Sequence, residues 1–416
     1  MANEITVLKN RDEILDCVRG LSALIVLFAH ARAFLFVDLG EVTNPNMFQK
    51  GFYFASGVHH QAVMVFFVLS GYFVGGGVLK LLYSNKFSWR KYIVTRLTRL
   101  WLVLGPAIAL TIFLQLVGQV LSPDAYAGRF HDIWMSGPNL ELAQVPLVVS
   151  ALGNLLFVQT IAIPAMATNG PLWSLAFEFW YYSLFPLMVV PCGVFLNQAT
   201  STIRGGTHQG IVKGFLCISA ALGLLTILPW GLVSQGMIWI LGVVVWELAR
   251  RGMCPIDRVR SAWMVLGLLF FVSTLVTTKI GVLPFSDFAV GAAFALWMLS
   301  LVGVWKVQSW AVNSARFLAD ISFTLYVTHF PVLLFACAIL FRERQYQPNF
   351  VGFTMLLIVV TLSFLVAILF WWMFERRTDD VRRGVDAWTL YWPLMRSNAT
   401  QVATAPRLPT TTSIED

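Results

Sequence analysis

The sequence predicts an all-α, polytopic membrane protein of about ten transmembrane helices, with both termini cytoplasmic. Three observations predict it. The chain has 416 residues, 58% hydrophobic and 12% charged, with a mean hydropathy of +0.73; a soluble domain carries about 25% charged residues. Apolar stretches close to the ~20 residues that cross a bilayer recur along it. Lys and Arg cluster on alternate connecting loops, as the positive-inside rule expects.

The predicted spans lie near residues 14–37, 58–83, 100–119, 171–196, 214–233, 235–249, 262–278, 286–305, 319–341 and 350–374. The sixth is short. The start, MANEITVLKNRDEILD, is polar and runs straight into apolar sequence, so no cleavable leader is expected and the first helix stays as an anchor. The stretch VVSALGNLLFVQTIAIP is apolar but broken, and reads as interfacial. An even number of spans puts both termini on one side. The loops there hold Lys80, Lys86, Arg90, Lys91, Arg96, Arg99, Arg204, Lys213, Arg250, Arg251, Arg258, Arg260, Lys306 and Arg316, against Lys50, Arg129, Lys279, Arg342 and Arg344 on the other. That asymmetry accounts for the +8 charge without nucleic acid. The membrane domain is expected over 1–392. The Thr- and Pro-rich tail, 393–416, is expected to be disordered, with no soluble catalytic domain appended. Cys17, Cys192, Cys217, Cys254 and Cys337 show no metal-site or CxxC spacing, so neither a metal nor a disulfide framework is expected.

Polar residues inside spans are costly, and are functional candidates for that reason. In LDCVRGLSALIVLFAHARAF, Arg19 and His30 are eleven residues apart. That is close to three helical turns, so they share a face roughly 16 Å apart, and Asp16 lies near the same stripe. Arg19 either snorkels to headgroups or holds an anion; His30 either packs or works. In the second span Ser70, Gly71 and the Gly75–Gly77 run permit close approach, of a neighbouring helix or of a ligand. His59 and His60, at its outer end, read as solvated histidines or as metal ligands lacking a matching set. KFSWRKYIVTRLTRLW sets Arg96 and Arg99 one turn apart, as ordinary inside charge or as a phosphate site. Glu178 stands among aromatics in NGPLWSLAFEFWYYSLFP, and His329 near mid-membrane in DISFTLYVTHFPVLLF.

These blocks resemble the acyltransferase-3 family of membrane acyltransferases, which includes bacterial O-antigen, exopolysaccharide and Nod-factor O-acyltransferases. LDCVRGLSALIVLFAH is similar to its opening Arg-x10-His helix. FFVLSGYFVG, WRKYIVTRLTRLW, PLWSLAFEFWYYSLFP, ISFTLYVTHFPV and FERRTDDVRR follow in the family's order, over about residues 11–384. Phe179 stands where that family often has Gln, and the HHQ segment is unusual for it.

The resemblance implies transfer of an acyl group, most often acetyl from acetyl-CoA, to a hydroxyl of a cell-surface carbohydrate or lipid-linked saccharide. It places the protein among membrane lipids in the bacterial inner membrane. Arg19, Arg96 and Arg99 would hold the donor's phosphates, with Ser70 and Gly71 on the donor path. His30 would be general base, or carry the acyl group covalently. Glu178 would orient His30, and His329 would join the relay or hold the carbonyl oxygen. A transporter or flippase of lipid-linked sugars, also polar at mid-membrane, is the competing class; it would not consume acyl-CoA.

Overall fold

The structure is a computed structural model and describes residues 13–200, 208–302 and 309–387, with the side chains of 192–200, 208–214, 257 and 309–312 outside the description. The predicted tail at 393–416 and the end of the eighth predicted span lie outside the described residues. A helix stands at each of the ten predicted stretches. The long ones are α1 (Glu13–Leu35), α3 (His59–Tyr83), α4 (Trp89–Leu121), α8 (Trp173–Thr200), α9 (His208–Ile227), α10 (Trp230–Arg250), α11 (Asp257–Lys279), α12 (Ser286–Leu301), α13 (Ser309–Leu340) and α14 (Phe350–Met373). Seven candidate spans among the described residues are long and apolar enough to cross a bilayer. Described residues form no strands, only two isolated bridges.

Short helices α2 (Met47–Ala55), α5 (Pro123–Tyr126), α6 (His131–Trp134) and α7 (Leu147–Leu155) fill the connections. The interfacial reading of VVSALGNLLFVQTIAIP corresponds to α7, nine residues long and too short to span. The basic run is the opening of α4 rather than a loop before it, so Arg96 and Arg99 ride on the helix that enters the membrane.

α1 packs most extensively on α13. Their crossing is close: a Cβ on Gly20 would stand 2.7 Å from Cβ of Leu318. α3 crosses α10 closer still. A Cβ on Gly71 would meet the Trp239 carbonyl oxygen at 1.8 Å, and one on Gly242 would meet that of Val68 at 1.9 Å. Only glycine lets two backbones meet this way. At this crossing α3 widens into a π-turn over Gly71–Gly75. Gly71, expected on the donor path, is therefore a helix-packing position whose missing side chain is filled by α10.

A proline inside a helix leaves a carbonyl without its usual donor, because it has no N–H to offer four residues back, and two such carbonyls are met from elsewhere in the fold. Pro331 in α13 so strands the Val327 carbonyl, and Asn169 Nδ2 donates to it at 2.9 Å. Pro186 in α8 strands the Tyr182 carbonyl, and the Tyr92 hydroxyl donates to it at 2.8 Å. Asn169 also donates to Thr111 Oγ1 of α4 at 3.2 Å. One buried amide thus ties α4 and α13 to the segment that leads into α8, beside the site.

Candidate active site

Two of the cavities between the described helices hold predicted site residues. The first, about 280 Å3, is lined by His30, His59, His60, Trp173, Tyr326 and Phe330 among others. The second, about 120 Å3, is lined by Arg19, Arg96, Arg99, Ser70, Glu178 and Tyr182. Every predicted site residue except His329 and Gly71 lines one or the other, and His329 stands directly behind His30.

His30 of α1 and His329 of α13 meet across the tight α1–α13 crossing, His329 Nε2 lying 3.1 Å from His30 Nδ1. The backbone fixes which nitrogens carry hydrogen. Nδ1 of His329 faces the carbonyl oxygens of Tyr326 at 2.7 Å and Leu325 at 3.0 Å. A carbonyl only accepts, so this Nδ1 is the donor. In the neutral ring the Nε2 of His329 is then the acceptor, and His30 donates to it from Nδ1. Donating from Nδ1 leaves Nε2 as the unprotonated nitrogen of the neutral His30 ring; the ring also hydrogen-bonds the Val26 backbone and lines the histidine cavity. His329 is buried at 1% exposure, whereas His30 is half-buried and faces the cavity. Phe330 meets the His30 ring edge-on at 5.1 Å between centroids. His59 lies 5.2 Å from it on another side.

His60 is not simply solvated. Its Nε2 is 2.9 Å from Asp287 Oδ2 of α12, and its ring stacks on Trp173 at 5.9 Å. Among the described residues no group of three or more His, Cys, Asp or Glu is placed to hold a metal.

Glu178 does not reach His30. It hydrogen-bonds Ser70 and Tyr182 and sits within electrostatic reach of Arg96 and Arg99. Ser70 Oγ is 3.0 Å from the Tyr182 hydroxyl and accepts from Trp239 Nε1 at 3.1 Å, so Ser70 joins α3, α8 and α10 under the carboxylate. The partner that orients His30 is His329. The resemblance implied that Glu178 would orient His30; the helices instead turn Glu178 toward the arginines.

The arginines differ in how they are held. Arg19 donates to the Ala319 carbonyl at 3.0 Å and pairs with Asp16 at 3.2 Å, its guanidinium 5.9 Å from the Phe73 ring centre. Arg96 lies between the rings of Tyr92 and Tyr182, at 5.6 and 5.7 Å, and its Nε is buried without a hydrogen-bond partner. Arg99 is exposed. Glu375, from the segment after α14, binds the backbone N–H and the hydroxyl of Thr324 and stands within electrostatic reach of Arg99 and Arg19. Sequence reasoning noted the Glu-Arg segment but gave Glu375 no part in the site; its 51-residue separation from Thr324 hides the contact.

Fold and site define an integral membrane protein with a paired-histidine centre on one cavity and a cluster of arginines and carboxylates on the next. A family model for the acyltransferase domain, acyltransferase-3, matches residues 12–372, nearly the whole chain, and the protein belongs to that family. No curated protein and no solved structure shows significant similarity to it.

Proposed function

We propose that this membrane acyltransferase moves an acetyl group from acetyl-CoA to a hydroxyl of a cell-surface carbohydrate or lipid-linked sugar, in the bacterial inner membrane. The observation that carries the reading is the His30–His329 pair, whose His30 ring lines a cavity that adjoins a cluster of arginines.

In the proposed reaction His30 Nε2 takes the proton of the acceptor hydroxyl. The oxygen attacks the thioester carbonyl carbon, a C–O bond forms and the C–S bond breaks. The thiolate leaves and recovers the proton from His30, giving free CoA thiol and the acetyl ester. While His30 carries the proton, its Nδ1–H donates to His329 Nε2, and the fixed Nδ1–H of His329 prevents the pair from flipping tautomer. This is the orienting role that the third member of a triad plays. Arg96 and Arg99 are the guanidinium groups best disposed to take the donor's phosphates by charge-assisted hydrogen bonds. Arg19, already bonded to Asp16 and Ala319, holds α1 in register with α13. Glu178 and Glu375 position the arginines before the donor arrives.

The test is mass spectrometry of surface glycans from cells that carry wild-type protein or His30→Ala at equal membrane levels. The expected result is acetyl esters in the first and none in the second. Unchanged acetylation with His30→Ala would sink the assignment. Glycan export that continues without acyl-CoA consumption would favour a transporter.

A further inference from the structure

Tyr326 and Val63 are the residues that line both cavities. The hydroxyl of Tyr326 is tied to each side of that shared wall. It donates to the carbonyl of Pro171, which lines the histidine cavity, at 2.9 Å. It lies 2.6 Å from Oγ of Ser174, which lines the arginine cavity. With its one hydrogen given to Pro171, the phenol accepts from Ser174. The ring packs against Phe66 at 6.0 Å and His329 at 5.9 Å between centroids. Val63, on α3, is buried.

A donor whose phosphates rest on Arg96 and Arg99, and whose thioester meets His30, has to cross this wall. Its acyl end leads through the junction and, with the carbonyl at His30, stays beside Val63 and Tyr326, which also line the histidine cavity. We infer that Tyr326 and Val63 form the constriction that the acyl group occupies, and that they set the acyl length the enzyme accepts. The inference rests on the acyl-CoA reading above and adds the residues that select the donor. The junction offers a valine, a phenylalanine and a phenol ring whose hydroxyl is already satisfied, so it suits a short hydrocarbon stub. Each added methylene has to pass between these packed side chains to reach the histidine cavity.

The experiment measures release of CoA thiol by the purified full-length protein from acetyl-CoA and from butyryl-CoA. The acceptor is the total surface glycan and glycolipid fraction of the source cells, with a no-acceptor blank. The ratio of kcat/KM for butyryl-CoA to that for acetyl-CoA is read within each preparation, so expression level and partial unfolding cancel. Val63→Ala should raise that ratio by about tenfold, the discrimination that two methylenes supply. Tyr326→Leu should raise it too; Val63→Ala, a smaller change, keeps the test alive where Tyr326→Leu does not fold. Val63→Leu should lower it. Ratios within twofold of wild type in Val63→Ala and Val63→Leu, with acetyl transfer intact, would overturn the constriction and leave the acyltransferase reading standing. A wild-type protein that releases no acceptor-dependent thiol from either donor would overturn both.

Discussion

At the scale of the residue, the chemistry rests on hydrogen placement. His329 can orient His30 because two helix carbonyls hold its Nδ1–H. Replacing His329 with Gln keeps a polar group there but removes an acceptor of fixed tautomer. We expect its kcat to fall by at least roughly 10-fold with little change in acyl-CoA affinity, and His30→Ala to lose the roughly 10²–10⁴-fold that a general base supplies. A His329→Gln enzyme with wild-type kcat would remove His329 from the account. Both histidines were legible in the sequence as polar residues at mid-membrane. Their partnership was not, because 299 residues separate them and nothing local signals the contact. The arginines behaved likewise. Helical spacing put Arg96 and Arg99 on one turn and Asp16 near Arg19, but only packing shows that Arg19 is also bonded to the Ala319 carbonyl. Arg99→Gln should therefore weaken acyl-CoA binding, measured by equilibrium titration, by the ~1.5–3 kcal/mol of a charged hydrogen bond. Equal affinity in Arg99→Gln and wild type would move the phosphate site elsewhere.

At the scale of the element, the helices were readable because hydrophobic runs of spanning length leave few alternatives. Their ends were less so: apolar content placed the third span at residue 100, whereas the helix starts at Trp89, since charged residues such as Arg96 continue a helix as well as apolar ones do. Invisible in one dimension were the close crossing at Gly71 and Gly242 and the way proline-stranded carbonyls are satisfied from other helices. Each makes a stability prediction. Gly71→Ala places a Cβ 1.8 Å from the Trp239 oxygen, so α3 and α10 must part. Overpacking of this kind costs typically 1–3 kcal/mol, or more, and a lowered Tm in detergent would report it. Asn169→Ala leaves the Val327 carbonyl buried without a donor, at about 1–3 kcal/mol. Pro331→Ala restores a backbone N–H four residues on. The Asn169→Ala penalty should therefore be smaller in the Pro331→Ala background. Strictly additive Tm changes would mean that Asn169 does not serve that carbonyl.

At the scale of the whole molecule, the proposed reaction requires a direction: the arginine end of the site has to face the cytoplasm, as the charge asymmetry of the sequence predicts. Lys80, Lys86, Arg90 and Lys91 flank the α3–α4 turn, at the arginine end of the site, where a cytoplasmic donor would arrive. Single cysteines in a background lacking the native ones test this. Asn85→Cys, exposed in that turn, should react with a membrane-impermeant maleimide only in opened cells. Met135→Cys, exposed after α6, should react in intact cells. The reverse labelling pattern would place the arginines on the wrong face for CoA. The central claim is that His30, oriented by His329, drives acyl transfer between the two cavities. It is tested most directly by acyl-labelled acetyl-CoA and purified protein in the presence of surface glycan. Label should move into the glycan with wild-type protein, slowly with His329→Gln and not detectably with His30→Ala. Transfer at the wild-type rate by His30→Ala would contradict the account.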